Sequence, residues 1–233
     1  MITDFFVSIG NRFSKAFLEE NRWQLYLEGL GNTIMIAVVA AVIGVTVGVL
    51  FAMVSYINKK TGGLKVLTNI IKLYVTVVRG TPVVLQMMLM YFVIFSSWDN
   101  AILIGGITFG LNSGAYVSEI ARAGFESVDD GQREAGRSLG LSNAQTMWHI
   151  IIPQALRNSL PPLFNEFIAL VKETAVVGYV GVYDLGKIPG LIQSRTFDYL
   201  FPLLIAAVLY LVVVMLLTLV LRRLEKKFAK SDR

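Results

Sequence analysis

From Gly29 to Asn58 the chain runs for thirty residues without one charged side chain. A helix needs about 20 mostly apolar residues to cross the hydrocarbon core of a bilayer, and a longer uncharged run has no comfortable place in water. Three further blocks follow the same pattern. Residues 66–96 are apolar apart from Lys72 and Arg79, residues 100–124 carry charge only at Glu119 and Arg122, and residues 199–221 carry none before Arg222 and Arg223. Composition agrees, with 55% apolar and 16% charged residues against roughly 45–50% and 25% in a soluble domain. Mean hydropathy is +0.63. The expected fold is an all-α integral membrane bundle.

A fifth span, residues 161–183, is marginal because it holds Glu166, Lys172 and Glu173. Charge distribution decides for it. Without it, the loop bearing Lys59, Lys60, Lys65 and Lys72 lies opposite the basic tail at residues 223–233. With it, fourteen of the 21 basic residues share one side, five lie on the other, and Arg79 and Lys172 fall within the membrane. Positive residues favour the cytoplasmic side, so the expectation is about five spans, N-terminus out and C-terminus in. Pro82 should kink or break the second span.

Other classes fall away. There is no cysteine, which removes disulfides and thiolate chemistry, and a lone histidine, His149, cannot build a metal centre. The net charge of +5 sits beside the apolar blocks rather than along a soluble face, so no nucleic-acid partner is expected. Residues 1–28 lack the unbroken apolar run of a cleaved signal peptide. Phe6, Ile9, Phe13 and Phe17 recur at helical spacing, as in an extracytoplasmic amphipathic helix on the membrane surface or one packed on the bundle.

Residues 126–160 form a cytoplasmic segment longer than a simple connection requires. Asp129 and Asp130 can cap a short helix from Gln132 to Leu139, and Gly140 can end it. Ser142 with Gln145 reads as a capping box for a second helix to about Ile151, which Pro153 should end or kink. Two short capped helices make a rigid knob.

The knob carries Glu134-Ala135-Gly136, three residues, Gly140, nine residues, Ile150, and then Ile152-Pro153. This resembles the Glu-Ala-Ala loop of importer-type ATP-binding-cassette permeases, with Gly136 and Ile152 standing where that pattern has Ala and Leu. Arg79-Gly80-Thr81-Pro82, the run from Asn112 to Ile120, and Lys172-Glu173-Thr174 resemble the polar amino-acid permease branch of the same superfamily. The resemblance implies a subunit of the bacterial cytoplasmic membrane that dimerises with an identical or related permease. It implies no cofactor on this chain, ATP and magnesium on a cytoplasmic ATPase dimer, an extracytoplasmic solute-binding protein, and an amino-acid substrate. Glu134, Ala135, Gly136, Arg137, Gly140, Ile150 and Pro153 are then the ATPase-coupling residues. A purely local role, Glu134 pairing with Arg137 one turn on, is the competing reading.

Charged and polar groups within spans are costly and mark function by default. Asn112, Tyr116 and Glu119 share one helical face, and with Arg79, Lys172 and Glu173 they are the substrate-pathway candidates; interhelical pairing is the alternative. Gly106, Gly110 and Gly114 form a small-residue row on another face, and Gly44 and Gly48 offer a similar packing site on the first span. Gly181 to Ile188 approaches a phosphate-binding loop but has Ile188 where the magnesium-ligating Ser or Thr belongs. No catalytic residue is expected on the chain. An ion-gradient transporter or channel without an ATPase is the main alternative, although no internal repeat supports it. An intramembrane enzyme lacks its residues.

Overall fold

The computed structural model describes residues 2–231, with side chains from 6 to 226. The outermost tail residues, among them Lys227, Lys230 and Arg233, therefore lie outside the described side chains. Every secondary-structure element among the described residues is helical. Helix α1 (Ile2–Phe13) is amphipathic and continues through a π-helical turn, Ser14–Leu18. A sharp corner follows, with Glu20 and Asn21 both at positive φ. Helix α2 (Trp23–Thr61) is 39 residues long and ends in a left-handed Gly62, φ +70°, a conformation glycine adopts without a Cβ clash.

The second apolar block does not form one straight helix. Helix α3 (Lys65–Gly80) and helix α4 (Val83–Leu89), the latter extended by a π turn at Met90–Ile94, are bent by 105°. The break falls at Thr81-Pro82, both in extended conformation. Pro82 cannot donate to the preceding turn. The freed carbonyls find another donor: Gln86 Nε2 donates to Val78 O at 2.8 Å and to Thr81 O at 3.2 Å.

Helix α5 (Ala101–Glu126) is the centre of the bundle, capped by Asn100, which accepts from the Leu103 amide. Helix α6 (Asp130–Ser138) and the short α7 (Asn143–Thr146) form the knob. A π turn, Met147–Ile151, then runs directly into α8 (Ile152–Glu173). A seven-residue 3₁₀ segment, Thr174–Val180, leads to α9 (Ile188–Thr196) and α10 (Leu200–Ser231).

Two boundaries differ from the sequence expectation. Pro153 does not end its helix, because the Ile152 amide bonds to Met147 O five residues back. That widened turn removes the regular hydrogen bond, and the carbonyl clash, that a proline forbids in an α-helix. The helix expected over 161–183 begins nine residues earlier and passes through Pro161 and Pro162. It stops at Glu173. Three helices, α2, α5 and α10, are long and apolar enough to cross a membrane, and a fourth crossing is available if the bent α3–α4 pair counts as one.

Close packing of α2 on α5 rests on absent side chains. A Cβ on Gly48 would lie 2.5 Å from Val117 Cγ1, and one on Gly44 would lie 3.1 Å from Ser113 Oγ. From the other side, Gly106, Gly110 and Gly114 face Val39, Ile43 and Val47, with a Cβ on Gly110 only 2.6 Å from Ile43 Cβ. Small residues on both helices let the backbones meet. Three apolar layers fill the bundle along its length. Tyr26, Leu185, Ile188 and Ile192 lie at one end, Ile36, Met87, Phe109 and Leu170 in the middle, and Tyr56, Phe125 and Ile151 at the knob end. Outward faces stay apolar, as at Leu203, Leu211 and Leu219 on α10, which suits lipid or a partner helix and not water.

Candidate functional site

The break between α3 and α4 sets a polar cluster against α5 and α8. Buried Asn112 donates from Nδ2 to Gln86 Oε1 at 3.0 Å, so the amide that satisfies the broken helix is itself held by α5. The Arg79 guanidinium lies 5.0 Å from the centre of the Tyr116 ring, a cation–π geometry that favours charge away from bulk water. One residue along from Asn112, Ser113 donates from Oγ to Glu166 Oε1 at 3.2 Å. A guanidinium and two amides thus meet where α3 breaks, and the neighbouring residue of α5 holds a carboxylate, Glu166.

The remaining pathway candidates fall elsewhere. Glu119 pairs with Arg122 at 2.8 Å on its own helix, and Arg122 also holds Glu126 at 2.8 Å. Glu126 in turn takes Lys59 at 2.8 Å. Glu119 lines an open cavity of about 460 Å³ with Lys59, Lys72 and Thr68. It contacts neither Arg79 nor Lys172. Lys172 and Glu173 are both exposed at the C-terminal end of α8, about 10 Å along the helix from Glu166 at 1.5 Å per residue. The structure therefore separates the six sequence candidates into three levels. Glu166 was missed as a site residue because in sequence it is only one more charge weakening a span. Gln86, a weaker candidate in sequence, gains its partners where the helix breaks.

The knob is built as its caps require. Asp129 accepts from the Gly131 amide at 2.8 Å to start α6. Gly140, at φ +78°, ends it, with Leu141 N bonded back to Gly136 O at 3.1 Å and Gly140 N to Arg137 O at 2.9 Å. The capping box closes in both directions: Gln145 N donates to Ser142 Oγ at 3.3 Å, and Ser142 N to Gln145 Oε1 at 2.9 Å. Gly136 has a local cause. A Cβ there would lie 2.7 Å from Thr146 Cγ2 and 3.0 Å from Ile150 Cδ1, so Thr146 and Ile150 fill the space an alanine would need. Glu134 and Arg137 form no ion pair with each other. Leu139 at the tip is 80% exposed and Trp148 67%, two large apolar side chains on an otherwise charged projection. The knob stays tied to the bundle: Lys60 binds Asp130 at 2.8 Å, and Asn158 donates to Ser127 Oγ at 2.8 Å.

The loop from Gly181 to Ile188 has spent its amides internally. Asp184, wholly buried, accepts from Gly186 N at 2.9 Å and Lys187 N at 3.0 Å, and Tyr210 reaches it at 3.3 Å. A carboxylate occupies the place a phosphate would need. No group of three or more metal-ligating side chains occurs among the described residues.

The chain has relatives among known proteins. Residues 44–230 match the family described as binding-protein-dependent transport system inner membrane component. The chain is 38% identical over 208 residues to a putative glutamine transport system permease protein of Rickettsia bellii, covering 88% of this chain and 93% of that one. It is 36% identical over 209 residues to the arginine transport system permease protein ArtQ of Bacillus subtilis, covering 88% and 93%. Among solved structures, a crystal structure of an amino acid ABC transporter with histidines superposes with a TM-score of 0.79 at 37% identity, over 88% of this chain and 94% of that one. The MetNI methionine ABC transporter, at 19% identity and a TM-score of 0.76 over 91% and 99%, shares the fold.

Proposed function

The chain belongs to the family of binding-protein-dependent transport system inner membrane components, and on that footing we propose that it carries a polar amino acid across the membrane while a separate ATPase, docked on the α6–α7 knob, supplies the energy. The family consists of transmembrane permease subunits of bacterial importers, set in the inner membrane and not themselves catalytic. Two relatives are named for glutamine and arginine transport, which supports an amino-acid solute here.

The observation that carries the reading is the polar cluster at the α3–α4 break. An amino acid presents an ammonium and a carboxylate a few ångströms apart. Glu166 and Arg79 supply one counter-charge of each sign, and Asn112, Gln86 and Tyr116 supply neutral partners. A broken helix exposes backbone polar groups only where a cavity or other protein satisfies them. In this reading Lys172 and Glu173 stand at the outer end of the path and Glu119, with Lys72, at the inner mouth. Five crossings follow if α3–α4 and α8 each span, leaving the N-terminus outside and the knob and basic C-terminal end inside.

The knob passes motion because it is short, capped at both helix starts and turned by Gly140. Leu139 inserts into the ATPase, and Glu134 and Arg137 provide charged contacts around it. Partners of this assembly are a second permease chain, the ATPase pair holding ATP and magnesium, and an extracytoplasmic solute-binding protein.

The absence of native cysteine makes the test direct. A single Leu139→Cys in the purified complex should form a cross-link of short span to a co-purifying ATPase. A cysteine at Asn100 should not cross-link, and should react with an impermeant thiol reagent from outside the cell. A chain that transports alone, with Leu139→Cys never reaching a partner, would favour an ion-gradient transporter.

A further inference from the structure

Beside the knob lies a cleft of about 530 Å³ between the end of α2 and the α6–α7 turn. Its charged lining residues are all cationic: Lys60, Arg133 and Arg137. One carboxylate, Asp130, answers both Lys60, at 2.8 Å, and Arg133, at 3.8 Å. Arg137 makes no ion pair among the described residues. Three cations against one anion leave an excess of two positive charges.

Two donors in the lining are buried without a hydrogen bond. Thr146, 1% exposed, has no partner for Oγ1, and Arg133 Nε has only Asp130, 3.8 Å away and beyond hydrogen-bond reach. A buried donor without an acceptor is costly and rare, and it points to a group absent from the isolated chain. The other wall is apolar, built from Met53, Tyr56 and Ile57 on α2 and Met147 and Trp148 across the cleft.

We infer that this cleft binds an anionic phospholipid of the inner leaflet, its phosphate on Arg133 and Thr146 and an acyl chain along the α2 wall. Charge excess selects an anion, and the two orphan donors select an oxyanion with several acceptors. The apolar wall continues the lipid-facing surface of α2, where Val38, Val42, Val45 and Leu50 are exposed. Basic pockets at the cytoplasmic ends of spans have this chemistry. The consequence is that lipid charge steadies the hinge between the first span and the knob. The inference rests on the reading that this end of the bundle is cytoplasmic.

The test uses the full chain in detergent, with bound lipid counted by native mass spectrometry after adding phosphatidylglycerol or phosphatidylcholine. Phosphatidylglycerol should be retained preferentially. Arg133→Gln and the shape-keeping Thr146→Val should each lower that retention, Arg133→Gln by about fivefold for one lost basic contact, with phosphatidylcholine unchanged. A thermal-shift series with phosphatidylglycerol on the unaltered chain guards against a variant that fails to fold, and should show a stabilisation that phosphatidylcholine does not give. Equal retention of the two lipids, or retention indifferent to both substitutions, overturns the inference. So does an equal shift with inorganic phosphate alone, which would leave the apolar wall without a role. Displacement of the lipid when the ATPase binds would make the cleft a protein-docking surface and also overturn it. Retention is read on the chain itself, so its failure leaves the Leu139 cross-link untouched.

Discussion

Gly48→Ala should separate the two helices on which the bundle is centred. The added Cβ would meet Val117 Cγ1 at 2.5 Å, Val117 Cβ at 2.6 Å and the Ser118 backbone nitrogen at 2.8 Å. Carbon atoms rest at about 3.5–4.0 Å, so relief requires a local parting of roughly 1 Å. Rotamer change does not provide it, because two of the three obstructing atoms are a Cβ and a backbone atom. Overpacking of this kind costs about 1–3 kcal/mol, while replacing a helical glycine by alanine returns roughly 0.5–1 kcal/mol. At mid-range the net loss is about 1 kcal/mol, which for a chain of this length lowers Tm by about 2–4 °C. Heating detergent-solubilised protein and measuring the fraction that survives size exclusion reads this directly. Gly31→Ala is the control, since a Cβ there meets nothing within 4 Å. Val117→Gly in the Gly48→Ala background removes two of the three clashes and should show favourable coupling in a double-mutant cycle. Equal Tm values for Gly48→Ala and Gly31→Ala would refute the packing argument.

Three further predictions follow from other parts of the fold. Gly140→Val places a β-branched residue at φ +78°, a conformation costing about 1–3 kcal/mol; ATP hydrolysis by the complex should continue while uptake falls, and normal uptake would remove the knob from the coupling path. Glu166→Gln keeps the bond from Ser113 within reach and deletes a charge, so competition assays should show weaker discrimination between cationic and neutral amino acids, with unchanged discrimination counting against a place on the path. Arg12 holds Asp198 through two hydrogen bonds, at 2.8 and 2.9 Å, and those bonds keep the Asp198 carboxyl below its usual range. The sign of that shift makes the α1 clamp complete above the ordinary aspartate value of about 3.9 and lost as pH falls through the lower folded value. Hydrogen exchange at residues 6–13 should therefore accelerate in acid, and Asp198→Asn should abolish that pH dependence.

Much of this architecture is written in local patterns. The uncharged run from Gly29 to Asn58 lies within α2, and the glycines at 44, 48, 106, 110 and 114 meet as close helix contact because their spacing puts each row on one face. Caps are equally local: Asp129, Ser142 and Gly140 act within a few residues of themselves. What sequence hid was non-local. Pro153 reads as a helix end, and only the π turn before it, stabilised by packing of Ile151 against Tyr56 and Phe125, lets the helix continue. Glu166 acquires meaning from Ser113, 53 positions away. Glu119 looked central because its face on α5 is polar, yet Arg122 three residues on claims it. The near match to a phosphate loop dissolves once Asp184 is seen holding the same amides.

The central claim is that this chain forms an amino-acid path worked by an ATPase that is not part of it. The direct measurement is ATP hydrolysis by the permease–ATPase complex reconstituted in liposomes with its solute-binding protein, screened across the amino acids. A few polar amino acids should stimulate hydrolysis, with uptake of the same compounds into the lumen, and Glu166→Gln should alter which ones do. Hydrolysis indifferent to every amino acid, or uptake that proceeds on an ion gradient with no ATPase present, would contradict the account.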